Sequence, residues 1–155
     1  MPDDQITLRT ATLADVALLR EFEQGVVAAE RPLALNMRDG KVEYYDLPAL
    51  IKSEQVHLLI AEQHAEPAAC GYLRIDTSKP HNKSHQHGYI GFIYVNPNHR
   101  GLQLAQHIIE ALIRWGKQHE LSVFTLDVYN GNSAAIHVYQ KLGFKPNLIE
   151  MVLET

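Results

Sequence analysis

The chain has 155 residues, which is enough for one cored domain and too few for a second. Apolar residues make up 46% and charged residues 21%, a balance that excludes a disordered chain, and no apolar run approaches the roughly 20 residues that span a bilayer. The formal charge of −4 argues against a nucleic-acid partner, because phosphate contacts need clustered Lys and Arg, and the single cysteine excludes an internal disulfide.

The sequence shows no linker, internal repeat or low-complexity tract. Residues 1–5 are polar and acidic and lack the basic and apolar stretches of a signal peptide. We therefore expect a single domain over residues 1–155, located in the cytoplasm, with no membrane partner.

The beginning of the chain is predicted to hold one strand and one helix. Residues 6–10 alternate apolar and polar side chains, which predicts a strand. Thr12 followed by Asp15 matches a capping box, and apolar residues then recur at helical spacing as far as Val26. The stretch 28–45 has no regular pattern and is expected to be irregular.

A short helix and a pair of strands are predicted next. Asp46 can cap a helix, and Pro48 is tolerated in its first turn. Residues 56–62 and 69–76 have the composition of strands. Because residues 64–67 have turn chemistry, we expect the two strands to form a hairpin.

Strands and helices are predicted to alternate in the second half of the chain. After a polar loop at 77–86, residues 88–95 form an almost wholly apolar run, which is typical of a strand buried on both faces. The remaining predicted elements are a helix with its apolar face at Leu104, Ile108, Leu112 and Trp115, a strand at 123–129, a helix at 133–142 that Gly143 ends, and a strand at 148–153. An antiparallel half followed by a β-α-β-α half predicts an α+β domain with a mixed sheet.

The segment 93–106 carries the clearest chemical signal in the chain. It is predicted to be a buried strand, a short polar loop and the start of a helix, and the free N–H groups at a helix N-terminus suit a phosphate or pyrophosphate. Gly101 permits a tight turn, and Arg100 adds a positive charge. An ordinary strand-to-helix turn would show the same residues. This segment by itself therefore fits both an anion site and an ordinary turn.

Two motifs in this half of the chain together resemble the GNAT acetyltransferase superfamily. The first motif is met by Val95, Pro97, Arg100, Gly101 and Ala105. The second motif is met by Asn132, Ala135, Tyr139, Leu142, Gly143 and Phe144. The resemblance implies a GNAT-like mixed β-sheet flanked by helices, in which the two central parallel strands splay apart.

The resemblance also implies acetyl-CoA as the co-substrate of an N-acetyltransferase whose primary amine is a small molecule or a peptide. The main chain of the strand ending at Val95 would pair with the pantetheine arm, and the amides from Gly101 to Gln106 would hold the pyrophosphate. Asn132 would lie near the pantetheine or a substrate-side water. The implied cofactor-binding residues are Ile93, Tyr94, Val95, Arg100, Gly101, Leu102, Gln103, Leu104, Ala105, Gln106 and Asn132.

Two residues are implied to act in catalysis. Tyr139 would protonate the departing CoA thiolate as a general acid, although a tyrosine on a helix face can also be a packing residue. Asp127 lies five residues before Asn132, where the ribosomal-protein alanine N-acetyltransferases of the superfamily carry a general-base Glu. Asp127 could equally bond a neighbouring backbone group or an arginine. Gln103 stands where many members have Gly, and no Glu lies in the strand 88–95, where other members place the base.

The same sequence allows other interpretations. A non-catalytic acyl-CoA-binding module with the same fold is the alternative function. His81, His85 and His87 lie in a polar loop without Cys or carboxylate nearby, so a solvated or substrate-facing loop is favoured there over a metal site. Because the predicted strand 148–153 is apolar and late, it is expected to be an edge strand through which the chain forms a homodimer.

Residues in the irregular stretch and on one strand are candidates to face the acceptor. In the superfamily, this part of the fold shapes the acceptor pocket. A solvated and partly ordered region is the equal alternative. The candidates are Asp39, Glu43, Tyr44, Tyr45 and Arg74.

Overall fold

Five strands and four helices form within residues 5–101 and 103–155, the part of the chain described by this computed structural model. The strands are β1 (Ile6–Thr10), β2 (Val56–Gln63), β3 (Glu66–Thr77), β4 (Gln86–Val95) and β5 (Phe124–Leu126). The helices are α1 (Val16–Glu30), α2 (Leu47–Lys52), α3 (Leu104–Gln118) and α4 (Ser133–Lys141). None of the helices described is long and apolar enough to cross a membrane.

The strands form one mixed sheet in the order β1-β2-β3-β4-β5. The first four strands pair antiparallel with their neighbours, and β4 pairs parallel with β5. The parallel ladder ends at the pair Ile90–Leu126, whereas β4 runs on to Val95. The two central parallel strands therefore splay, and the predicted fold class is confirmed.

A bulge in β4 accompanies the splay. The register between β3 and β4 shifts between Cys70 and Tyr72, and Phe92 has a φ of 56°, in the left-handed region that a bulky residue rarely adopts. The buried Cys70 Sγ donates a hydrogen bond to the Phe92 carbonyl at 3.5 Å. The bulge bends β4 at the point where its pairing with β5 has ended.

Helices cover both faces of the sheet. The apolar side chains of α3 pack on one face around Leu73 and Ile90, and α4 adds partly buried residues there. The apolar side chains of α1 and α2 pack on the other face around Ile60 and Phe92. The prediction that residues 88–95 form a strand buried on both faces is therefore confirmed.

Local chemistry explains most of the elements. The backbone N–H of Thr12 donates to the Asp15 carboxylate at 2.7 Å, and Asp46 caps α2 by accepting from the backbone of Ala49 at 3.1 Å. The strand pair is a hairpin with a two-residue turn, in which His64 and Ala65 both have positive φ. These contacts confirm the predicted first strand, the helix starts and the hairpin.

Two predicted strands differ from the structure. The strand predicted at 123–129 is reduced to the three residues of β5, because β4 bends away and no partner remains beyond Leu126. The prediction of a strand at 148–153 is wrong, since residues 145–155 contain no regular secondary structure. The apolar run has the composition of a strand, but a strand also needs a neighbour to supply its hydrogen bonds.

A buried carboxylate fixes the stretch before α2. Glu23 on α1 is fully buried, and its Oε1 accepts from Arg20 at 2.9 Å. Its Oε2 accepts from the backbone N–H groups of Tyr44 and Tyr45 at 2.7 and 2.9 Å. Glu23 thus ties the backbone of both tyrosines to α1, and Arg20 and Gln24 add bonds from α1 to the carbonyls of Tyr45 and Val42, both at 2.9 Å.

Substitution of Glu23 by Ala should lower the free energy of unfolding by about 3 kcal/mol, because Arg20 and two backbone N–H groups lose their acceptor. Urea titration followed by circular dichroism measures the loss. Glu21→Ala on the exposed side of the same helix is the matched control and should change stability by no more than about 0.5 kcal/mol. Equal losses in the two variants would contradict the role given to Glu23.

Candidate functional site

A cavity of about 220 Å³ lies at the N-terminus of α3, on the α3–α4 face of the sheet. It brings together seven of the predicted cofactor-binding residues with two residues of α4 and the histidine before Arg100. The lining residues are Val95, His99, Arg100, Gly101, Gln103, Leu104, Ala105, Gln106, Val138 and Lys141.

The turn before α3 leaves backbone donors at this cavity. Gly101 has a φ of 87° and Gln103, the residue preceding α3, has a φ of 57°, so both adopt the left-handed conformation. The Gln103 side chain makes no capping hydrogen bond to the N-terminus of α3. The first N–H groups of a helix have no partner inside it, and together with the helix dipole they attract an anion. Leu102, also predicted to bind the cofactor, lies outside the described residues.

The other predicted cofactor-binding residues take different positions. Ile93 packs its side chain on the α3 face, and the Tyr94 ring packs against Phe22 with centroids 4.7 Å apart. Both residues lie beyond the last β4–β5 rung, so the β5-facing edge of their main chain is free of that strand. Asn132 caps α4 by accepting from the backbone N–H of Ala135 at 3.2 Å.

Tyr139 lies in α4, one residue beyond Val138 of the cavity wall. Its ring packs on the core and against Phe144, with centroids 6.2 Å apart. Burial, with a smaller contribution from the charge of Glu30, raises the pKa of Tyr139 to about 12. The hydroxyl therefore keeps its proton at neutral and moderately alkaline pH.

A larger cleft of about 780 Å³ lies on the opposite, α1–α2 face of the sheet. Its walls are four tyrosines, three aspartates and one arginine, with smaller residues of α2 and the strands. The lining residues are Tyr44, Tyr45, Asp46, Ala49, Leu50, Ser53, Val56, Tyr72, Arg74, Asp76, Tyr89, Thr125 and Asp127. Three aspartates against one arginine give the cleft a formal charge of −2, which favours a cation.

Hydrogen bonds order the charged groups of this cleft. The Tyr89 hydroxyl donates to the exposed carboxylate of Asp127 at 3.1 Å. Arg74 makes two bonds to Asp76, at 2.6 and 3.0 Å, and its guanidinium lies 4.9 Å from the centroid of the Tyr89 ring. Arg74 is thus paired with Asp76. The other two cleft carboxylates, Asp46 and Asp127, have no arginine partner in the described structure.

Of the predicted acceptor-facing residues, Tyr44, Tyr45 and Arg74 line this cleft. Glu43 instead lies 3.9 Å from both Arg20 and Lys41. Asp39 is exposed outside the cleft lining. In the irregular stretch, the two tyrosines therefore line the cleft, and the two acidic residues lie outside it.

Glu30, at the end of α1, is a candidate that the sequence did not reveal. Burial raises the pKa of its carboxyl above the usual 4.5. Burial is also the main cause that raises the pKa of Tyr44 and Tyr129, and the charge of Glu30 raises both further. Together with its effect on Tyr139, this places one carboxylate within electrostatic reach of three phenol groups. Nothing in the spacing of the sequence points to a contact between the end of α1 and α4.

The buried Tyr44 hydroxyl lies at the Glu30 carboxylate, and a hydrogen bond between the two groups adds to the raised pKa of Tyr44. At Gly131, an added Cβ would lie 3.2 Å from Leu33, so the region after α1 lies close to the loop before α4.

None of the three histidines of the loop lines either cavity. His87 Nδ1 bonds the Ser78 hydroxyl at 2.8 Å, while His81 and His85 are exposed. Among the residues described, no group of three or more His, Cys, Asp or Glu side chains is arranged to hold a metal ion.

Comparison with known proteins identifies the family. The family model of the acetyltransferase (GNAT) family matches residues 17–144, and the chain therefore belongs to that family. No curated protein matches the chain.

Solved structures have the same fold at low sequence identity. A predicted acetyltransferase from Clostridium acetobutylicum, solved with acetyl-CoA, is 19% identical, with a TM-score of 0.75 and a match that covers 96% of each chain. A mutant protein from Bacillus halodurans is 22% identical, with a TM-score of 0.83 over 96% of this chain and 99% of that one. An aminoglycoside 6′-N-acetyltransferase from Acinetobacter haemolyticus is 18% identical, with a TM-score of 0.73 over 96% and 97%.

Substitution of Gly101 by Ala tests the anion site, and a matched glycine substitution measures the cost of backbone strain alone. The added methyl would meet no atom within 4 Å, but a φ of 87° should cost an alanine about 1–2 kcal/mol of stability. Gly40→Ala is the matched control, because Gly40 has a φ of 83° and equally open space. Thermal unfolding should show similar losses in both variants.

Inorganic pyrophosphate then serves as the probe of the site. It should raise the melting temperature of the wild type and of Gly40→Ala, and its effect on Gly101→Ala should be much smaller. An equal response of all three proteins would contradict an anion site at this turn.

Proposed function

We propose that the protein is an N-acetyltransferase that moves the acetyl group of acetyl-CoA to a primary amine. The observation that carries the proposal is the placement of the two cavities on opposite faces of the sheet, one before and one after the point along β4 where its ladder with β5 ends at Ile90–Leu126. The cavity at α3 meets β4 at Val95, and the larger cleft meets it at Tyr89. A thioester lying in the gap would be reachable by an amine from the other face.

Acetyl-CoA would bind on the α3 side. The amides from Gly101 to Gln106, Leu102 included by its place in the motif, would hold the pyrophosphate, with Arg100 adding charge. The free edge of β4 from Ile93 to Val95 would pair with the pantetheine arm in the manner of an added strand. The Clostridium relative, solved with acetyl-CoA, supports this choice of co-substrate.

The acceptor would enter the larger cleft as a cation. The formal charge of the cleft draws in an ammonium group, and the tyrosines that line the cleft add aromatic surface beside the carboxylates. Asp127 would attract the reacting ammonium, since it is exposed and carries no arginine partner. The Acinetobacter relative acts on an aminoglycoside, so an aminoglycoside is a rational first member of an acceptor panel.

In the transfer, the neutral amine nitrogen attacks the thioester carbonyl carbon, the C–S bond of the tetrahedral intermediate breaks, and the thiolate takes a proton from Tyr139. The proton that the acylated nitrogen then loses restores the Tyr139 phenol, so the products are the amide and free CoA thiol. An amine with a pKa of about 10.4 must first lose a proton, which costs about 4.6 kcal/mol at pH 7. We assign that proton to Asp127, acting through a water, because its exposed carboxylate lines the cleft that would take the amine. The thiol leaving group, with a pKa of about 8.5, departs with modest help.

The release of free CoA across amines, polyamines, amino acids and peptides tests the function. Calorimetry with acetyl-CoA is run beside it. CoA release with at least one amine is the expected result. Binding without release for any acceptor would favour the non-catalytic acyl-CoA-binding module, and no binding at millimolar acetyl-CoA would overturn both functions.

The change Tyr139→Phe should lower kcat about a hundredfold with little change in acetyl-CoA affinity, because the ring still packs while the proton donor is lost. A phenol with a pKa of about 12 gives up its proton reluctantly, so we expect the lower end of the range for acid catalysis. The acid form persists until the pH rises through about 12, so kcat should not fall between pH 7 and 10 through this group. Tyr129→Phe, near the same Glu30, is the control and should keep kcat. An unchanged kcat in Tyr139→Phe would remove the acid from the mechanism.

Asp127→Asn should lower kcat/KM for the amine, and the loss should grow as the pH falls, because free amine is then scarcest and the lost base matters most. Rates of the wild type and the variant between pH 6 and 9 measure this change. Glu43→Gln is the matched control, because Glu43 lies outside the cleft lining, and it should keep the wild-type pH profile. A loss in Asp127→Asn that does not depend on pH would reassign Asp127 to structure.

A further inference from the structure

Asp127 lies just beyond the last rung that ties β5 to the sheet. The β4–β5 ladder ends at the pair Ile90–Leu126, and residues 127–129 have no regular secondary structure. The Asp127 side chain is exposed, and among the described residues its carboxylate accepts one hydrogen bond, from the Tyr89 hydroxyl to Oδ2 at 3.1 Å. An exposed carboxylate outside a strand has several rotamers open to it, so a fixed direction needs a partner of this kind.

Tyr89 belongs to a row of side chains that crosses three strands. Arg74 on β3 and Tyr89 on β4 are direct partners in the antiparallel register, and Tyr89 pairs with Thr125 of β5 in the parallel one. Thr125 and Asp127 are two residues apart, and both line the larger cleft. The row therefore runs from Arg74 through Tyr89 to Asp127, on the floor of that cleft.

Neighbours on β3 restrict the Tyr89 ring. Arg74 donates two bonds to Asp76, at 2.6 and 3.0 Å, so its guanidinium is fixed in direction. The guanidinium lies 4.9 Å from the centroid of the Tyr89 ring, and the Tyr72 ring packs on the same tyrosine with centroids 6.3 Å apart. The hydroxyl that reaches Asp127 is therefore carried by a ring with little freedom.

The Tyr89 hydroxyl remains a donor over a wide pH range. Burial, with a further contribution from the charge of Asp127, raises the pKa of Tyr89. The phenol thus keeps its proton at neutral and moderately alkaline pH. Its bond occupies one carboxylate oxygen of Asp127 and leaves the other for a water or for the ammonium of an acceptor.

We propose that Tyr89 is a positioning residue, which holds the Asp127 carboxylate in the direction from which it takes the proton of the amine. The inference rests on the proposed function, because that function makes Asp127 the water-relayed base. Tyr89 transfers no proton in this role and acts only through its bond to Asp127. Loss of the hydroxyl should therefore matter only while the carboxylate is present.

A double-mutant cycle tests this dependence with the amine that releases CoA fastest. Tyr89→Phe keeps the ring and removes only the hydroxyl, and it should lower kcat/KM for the amine about tenfold, the worth of one hydrogen bond to a charged group. KM for acetyl-CoA should not change. In the Asp127→Asn background, the same substitution should cost less than about twofold, because the two residues act as one unit.

Tyr129→Phe is the matched control for this cycle. It removes a phenol hydroxyl two residues beyond Asp127, outside the lining of both cavities. It should keep the wild-type kcat/KM.

Nuclear magnetic resonance separates a failure of this inference from a failure of the proposed function. In protein labelled at the aspartate carboxyl carbons, the Asp127 resonance is the one that disappears in Asp127→Asn. At neutral pH this resonance should move in Tyr89→Phe, because the carboxylate loses its hydrogen bond, and should stay in place in Tyr129→Phe. A wild type that releases no CoA with any amine overturns the proposed function and this role with it. An active wild type overturns the inference alone if the resonance does not move or if the two losses are additive.

Discussion

The bend of β4 at Phe92 is the constraint on which both cavities depend. A phenylalanine at a φ of 56° is costly and persists only when its surroundings hold it. Here the ring stacks on Tyr45 with centroids 4.5 Å apart, and the carbonyl is bonded by Cys70. The bend takes β4 away from β5 and leaves one edge of its main chain without a partner strand. A regular ladder to Val95 would satisfy that edge and close the gap between the two faces of the sheet.

The two faces are held by different means. On the α3 side, the site is made of main-chain amides whose direction is fixed by the turn at Gly101 and Gln103. On the other side, the wall of the cleft is an irregular stretch held against α1 by the carboxylate of Glu23. The first arrangement tolerates changes of side chain, because the donors belong to the backbone. The second depends on side chains of α1, among which the buried Glu23 holds the backbone N–H groups of both Tyr44 and Tyr45.

Sequence patterns predict the features that depend on residues close together in the chain. The first strand, the hairpin, the caps of the helices and the turn before α3 each follow from residues within a few positions of one another. The two motifs also predict most of the residues that line the cavity at α3, since these residues are neighbours in the chain. The place of Glu30 beside Tyr44 and Tyr139 could not be predicted, because it depends on how α1 crosses the sheet. The strand at 148–153 was predicted wrongly, because periodicity reports what a segment could form and not whether a partner is present.

The environment of Cys70 has a practical consequence. This residue is the only cysteine in the chain, it is fully buried, and burial raises the pKa of its thiol. A thiol that neither reaches solvent nor ionises resists alkylation and oxidation. The thiol of the folded protein should therefore not react with disulfide-based colour reagents. In a mixture of enzyme, thioester and amine, the sulfur that such a reagent titrates would be that of the liberated coenzyme, so turnovers could be counted continuously without subtracting a protein blank.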